Sequence, residues 1–142
     1  MLETPRTARE LSWRLVYTKP HAEAWVEVNL RKQGFELLLP RFVTRGGLRP
    51  LFPRYVFVGH SSEQSIEALH STYGVAYVVM CGELPTRVPL DVITEIRSQM
   101  DSRGVVALEP PRRVDALFSR RERERVRTLL RLAHAGFRVK TA

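Results

Sequence analysis

Apolar and polar positions along the chain fall into short segments whose period switches between two and 3.6. Ser12 to Tyr17 carries aromatic and β-branched residues and reads as a strand. Lys19-Pro20 breaks it, and Pro20 suits a first helical turn. From His21 to Gln33 the apolar residues Ala22, Trp25, Val26, Val28 and Leu30 recur near helical spacing, and Gly34 stands where a helix end favours glycine. Phe35 to Leu39 predicts a second strand, closed by Pro40. Residues 41–53 form a basic excursion punctuated by glycine and proline, with Gly46-Gly47 as a hairpin-type turn. Arg54 to Val58 is the clearest strand pattern. A short helix over about Ser62 to His70 follows, then Gly74 and a strand over Val75 to Met80. Gly82 and Pro85 mark a turn before a short strand at Thr86 to Val88. Pro89, as first helical residue, opens a helix with Val92, Ile93 and Ile96 on one face.

The order β-α-β-β-α-β plus a closing helix predicts an α+β sandwich, with helices over one antiparallel or mixed sheet. The expected organisation is a flexible N-terminus (1–11), a domain (12–103), a linker around Pro110-Pro111 (104–113) and a tail (114–142). In the tail, Val126, Leu129, Leu130 and Ala133 sit at i, i+3, i+4 and i+7, one face of a helix. Arg120, Arg121, Arg123, Arg125, Arg127 and Arg131 occupy its other positions. Gly136 is a candidate helix end, whereas Phe137 to Lys140 alternates like a strand, so helix and hairpin both remain open for the tail.

Length and composition narrow the function classes. The chain has 142 residues, 44% of them hydrophobic and 27% charged, an ordinary composition for one globular domain. It contains no apolar run long enough to span a bilayer, and Met1 to Glu10 lacks the apolar core of a signal peptide, so a cytoplasmic protein is expected. Cys81 is the one cysteine, which excludes an internal disulfide, and the four histidines lack metal-ligand spacing. With no nucleophile–base arrangement and no glycine-rich phosphate loop, the expectation is a non-enzyme without cofactor or metal. Lys plus Arg is 23 against 15 Asp plus Glu, a net of +8, and much of the excess lies after residue 106. Such a balance suits a polyanionic partner, or merely solvated helices.

Several segments together resemble the NusG/RfaH family of transcription elongation and antitermination factors. They are Trp13 to Lys19, the helix end Asn29 to Phe35, Leu39-Pro40, the run Pro50 to Val58 (with Leu51-Phe52-Pro53 ahead of Tyr55, Phe57 and Val58), and Thr72 to Val75. The resemblance covers about residues 12–101. It implies the family's N-terminal domain fold, a central sheet with flanking helices. Members carry a second domain, usually a barrel with a KOW motif, and in the RfaH branch this can be a helical hairpin. The stretch 114–140 resembles only the latter part of that domain, so a helical tail is expected rather than a complete barrel. Contacts with Rho or the ribosome, which the family makes through the barrel, stay open.

The resemblance also implies site residues. Tyr55 and Phe57, two apart on one strand, share a face. They either pack in the core or grip a partner, and in the family these positions receive the clamp helices of the RNA polymerase β′ subunit. Cys81 stands where a large aromatic is common in that patch. Lys19, Asn29, Arg31 and Lys32 match positions facing the non-template DNA strand, with Asn29 and Lys32 on one helix face. Thr72 and Tyr73 match a DNA-contacting loop. Tyr73, in place of a typical arginine, either stacks on a base or packs the loop, and Trp25 likewise either stacks or is buried. Ser65 to Ala68 falls where the RfaH branch carries a His/Thr run touching the β-subunit gate loop. That run is absent, leaving His70 and Ser71 as nearby polar candidates. The implied function is a regulator that favours processive elongation. The alternatives are a standalone basic nucleic-acid-binding module and a ribosome or protein adaptor. One further expectation follows: the tail helix, over 114–135, docks on the Tyr55/Phe57 face, which would otherwise lie exposed.

Overall fold

The computed structural model describes residues 11–108 and 116–138. Residues 1–10 of the expected flexible N-terminus, the second half of the linker (109–113), and Val139 and Lys140 of the alternating tail segment lie outside the described residues. The elements run β1 (Ser12–Thr18), α1 (Glu23–Lys32), β2 (Glu36–Leu38), β3 (Arg41–Thr44), β4 (Gly47–Pro50), β5 (Tyr55–His60), α2 (Ile66–His70), β6 (Val75–Val78), β7 (Met80–Cys81), β8 (Leu84–Pro85), α3 (Leu90–Gln99) and α4 (Glu122–Arg138).

Four strands build the main sheet in the order β2-β5-β1-β6, every neighbouring pair antiparallel. Strand alternation sends two sets of side chains to opposite sides. Trp13, Leu15 and Phe57 point to one side and join Ile93 and Ile96 of α3 and Leu129 and Ala133 of α4. Val16, Val56, Val58 and Val78 point to the other and join Val26 and Leu30 of α1 and Leu69 of α2. The expected α+β sandwich is therefore present, with helices on both faces of the main sheet.

The differences from the sequence reading have local causes. The basic excursion 41–53 is a β3–β4 hairpin turning at Arg45-Gly46, with Thr44 Oγ1 accepting from the Gly46 N–H at 3.1 Å. Arg41, which has no acid near it in sequence, pairs with Glu27 of α1 at 3.1 Å. The strand expected to run to Met80 ends at Val78, and Met80–Cys81 pairs instead with Leu84–Pro85. Thr86 to Val88 is not a strand, although the Val88 N–H still donates to Trp13 O at 2.8 Å. Pro89 is the extended N-cap of α3, not its first helical residue. Gly34 follows α1 in the left-handed region (φ +90), as its place predicts. Gly104 to Val106, assigned to the linker by sequence, pair with Arg41 and Met100, and Val106 is buried.

The tail resolves as a helix only from Glu122; Ala116 to Arg121, within the stretch expected to be helical, form turns and irregular structure. α4 continues through Gly136 to Arg138, so neither a stop at Gly136 nor a strand beginning at Phe137 forms. Two turns of its apolar stripe, Leu129 and Ala133, are fully buried, while Val126 and Leu130 pack partly buried at the edge of the same cluster.

Candidate functional site

The face shared by β1, β5 and β6 carries a row of tyrosines. Register places Tyr17 opposite Tyr55 on one side and Tyr77 on the other. The Tyr17 ring lies 5.0 Å from Tyr55 and 4.9 Å from Tyr77, the second pair stacked. The Arg54 guanidinium covers Tyr17 at 4.3 Å from its ring centre. Arg54 is held for this contact. Its backbone takes a left-handed φ of +73, its N–H donates to the Glu23 carboxylate at 2.7 Å, and its Nε donates to Thr18 O at 3.1 Å. Burial, reinforced by Tyr77 and Tyr17, pushes the Tyr55 phenol above its ordinary value, with Arg54 opposing.

Phe57 continues this face beneath the tyrosines but is fully buried, its ring 5.9 Å from Phe52. Tyr55 and Phe57 do share a face, yet only Tyr55 reaches the surface. Cys81 sits half-buried in the β7–β8 hairpin beside exposed Met80 and Leu84. Val126, Arg127 and Leu130 of α4 wall a groove of about 530 Å³ with Tyr17, Arg54 and Tyr55. α4 thus lies beside Tyr17 and Tyr55, as expected for a docked tail, and Tyr77 at the far end of the row stays exposed.

Arg125 anchors that helix. It is 1% exposed, and its Nε and Nη1 donate to Leu51 O at 2.7 Å and Ser119 O at 2.9 Å. Its guanidinium also lies over the Phe42 ring at 4.8 Å. Burial lowers its pKa, and Glu122 partly offsets this. Sequence grouped Arg125 with the exposed arginines of α4, because helical period marks a face without saying how wide the buried stripe is. Tyr17 and Tyr77 were also missed, although alternation from Trp13 and Leu15 already put Tyr17 on the Phe57 side.

A second surface lies along α1 and the α2–β6 loop. Trp25, Val28, Asn29 and Lys32 share one face, with Trp25 and Val28 exposed. Asn29 Nδ2 donates to Tyr73 O at 3.4 Å, and Lys19 N donates to Gly74 O at 2.8 Å. Thr72 is buried, with its hydroxyl bonded to Gln33 Nε2 at 2.9 Å and to Ala68 O at 2.8 Å. Arg31 turns aside to Glu27 at 3.1 Å. Of the six residues expected on this surface, Lys19, Lys32 and Tyr73 are exposed to solvent, whereas Asn29 and Thr72 hold the loop. Ser65 and Ser71, near the absent His/Thr run, serve as local caps of α2.

A family model described as NusG, transcription termination factor nusG, matches residues 11–97. The chain belongs to the NusG family. A solved structure described as "Domain interaction in Thermotoga maritima NusG" is 26% identical over 60% of this chain and 54% of that one, with a TM-score of 0.45. The chain spans about half the length of that Thermotoga maritima relative. No curated protein matches it.

The NusG match covers β1 to most of α3, and therefore both surfaces, while α4 lies beyond it. Among the described residues no helix is long and apolar enough to cross a membrane, and no cluster of His, Cys, Asp or Glu has the grouping of a metal site.

Proposed function

We propose that this NusG-family chain is a non-enzymatic, cytoplasmic regulator of transcription elongation and antitermination. It binds the β′ clamp helices of RNA polymerase through the tyrosine row and the non-template DNA strand along α1. The observation that carries this reading is the continuous row of Tyr17, Tyr55 and Tyr77, rigid through its ring contacts and backed by the core. A stiff aromatic patch with a polar rim suits a partner helix laid into a groove. α4 forms one wall of that groove, against Tyr17 and Tyr55, so a partner helix laid on the whole row competes with α4 for this face. Binding then shifts the population toward the undocked helix by the difference in affinity. Held across the polymerase cleft, the domain favours the closed, processive state. Gate-loop contacts through the α2 region belong to the same reading and rest on the resemblance alone.

The test is pull-down with core RNA polymerase. Phe57 is a poor site for a variant, because truncating a fully buried phenylalanine costs about 3–5 kcal/mol of stability. Tyr17→Ser together with Tyr77→Ser leaves Phe57 in place and should abolish capture while thermal unfolding stays cooperative. Wild-type capture by that double variant would reject the tyrosine row as the contact.

A further inference from the structure

We propose that Trp25 and Tyr73 form a platform on which an unpaired base of single-stranded DNA stacks, with Lys19 and Lys32 beside it to meet the phosphates. The inference rests on the non-template-strand reading above and adds to it a recognition mode and a residue, Trp25, that reading does not use.

Trp25 is 60% exposed and Tyr73 is 73% exposed. They come from different elements, yet their ring centres are 6.3 Å apart in an edge-to-face arrangement. Such a pair uses one ring face, and the exposure of both side chains leaves ring surface open to a third ring. Tyr73 does not owe its exposure to a loose loop. Gly74 takes φ +96, and a Cβ there would come within 2.8 Å of Val26 Cγ2, so the loop lies directly on α1. Lys19, Asn29 and Gln33 each bond the loop from the α1 side. The backbone is fixed and the ring stands in solvent, which is preorganisation for a ligand rather than packing.

Charge selects the occupant. Both acids of α1 are engaged away from the platform: Glu23 accepts the Arg54 N–H, and Glu27 is shared by Arg31 and Arg41. Lys19 and Lys32 are exposed and have no ion pair among the described residues. Uncompensated lysines beside open aromatic faces fit a strand with anionic phosphates and flat, unstacked bases. A duplex keeps its bases stacked inside and offers the platform nothing.

The experiment titrates the full chain with a short oligothymidylate and with a strand of equal length whose sugars carry no bases, following tryptophan emission and anisotropy. Trp13 is buried and supplies a constant background. The thymidylate should quench Trp25 and bind about tenfold more tightly than the base-free strand, the scale of one base stacked on an aromatic. Trp25→Leu and Tyr73→Leu should each lose about five- to tenfold in affinity with an unchanged salt slope and an unchanged thermal midpoint. Trp25→Phe should keep the affinity and lose the quench. Equal binding of the base-free strand, or wild-type affinity in Trp25→Leu, overturns the platform while leaving the DNA surface standing. Tighter binding of the matching RNA strand or of a duplex also overturns it. Absence of binding to every strand rejects the platform and the non-template reading together.

Discussion

Arg125 is 1% exposed, whereas Arg120, Arg121, Arg123, Arg127 and Arg131 around it are exposed. A guanidinium taken out of water loses hydration that two carbonyls and an aromatic face must replace, and the hydrogen bonds to Leu51 and Ser119 over Phe42 do so. No carboxylate pairs with it among the described residues within ion-pair distance. Arg125→Ala removes both donors and opens a void, and should cost about 2–4 kcal/mol in urea unfolding. Arg125→Met fills the space without the donors and should cost less, which separates packing from polar pinning. Gly74 marks another residue-scale constraint. Gly74→Ala meets both a left-handed φ and a 2.8 Å approach to Val26, so a loss of about 2 kcal/mol or more is expected by thermal unfolding. Glycine followed by a strand was visible in sequence as punctuation. The contact with Val26, far away along the chain, was not.

At the scale of elements, the segment joining α3 to Val106 shows how a turn holds a fold edge. Asp101 Oδ1 accepts from the Arg103 N–H at 2.8 Å and the Val105 N–H at 3.0 Å, and Gly104 and Val106 then bond to Arg41 at the start of β3. The Val105 and Arg103 amides hold the Asp101 carboxyl below the usual aspartate value of 3.8. Its folded-state pKa is depressed, so its contribution is fully present above pH 3.8 and disappears as pH falls through the lower, folded value. Titration of the Asp101 carboxyl by NMR should give a midpoint below 3.8, with Val105 amide protection falling in step. A midpoint at or above that value would mean the turn does not hold in solution. The β3–β4 hairpin was legible only as Gly46-Gly47. Its strands are short and mostly exposed, so they lack the alternation that marks β5.

Across the whole molecule, the two faces of one sheet serve different ends. α1 and α2 close one side, while on the other α4 shares the covering with α3 and lies beside Tyr17 and Tyr55. Ala133 is fully buried on the inner face of α4, so Ala133→Glu should lift the helix without touching any tyrosine. On the competition reading, this variant captures polymerase more strongly than wild type. The Tyr55 phenol reports the same event. Burial raises it above 10.0, so its contribution to stability is present below that pH and is lost as pH rises through the folded value. In Ala133→Glu the phenol should titrate closer to 10.0, as read from tyrosinate absorbance. Unchanged capture together with a restored phenol would show that α4 leaves the face without having blocked it.

Seven elements of residues 12–99, namely β1, α1, β2, β5, α2, β6 and α3, were set by local pattern, because strand and helix periods sort apolar side chains before any tertiary contact exists. The Trp13-to-Lys19 and Leu51-to-Val58 runs likewise carried the family in their own residues. The helical choice for the tail was not decided there, since Phe137 to Lys140 alternates as well as any short strand. Packing decided it. The apolar part of the β1 and β5 face, Trp13, Leu15 and Phe57, takes up Leu129 and Ala133 at helical spacing, and a 17-residue helix satisfies its own backbone while doing so. Tertiary contact also divided the polar candidates. Lys19, Lys32 and Tyr73 were left in solvent, Asn29 and Thr72 were turned to holding a loop, and Arg125 was drawn into the core. One-dimensional pattern fixes a side chain's direction from its own backbone, whereas its partner comes from a distant part of the chain.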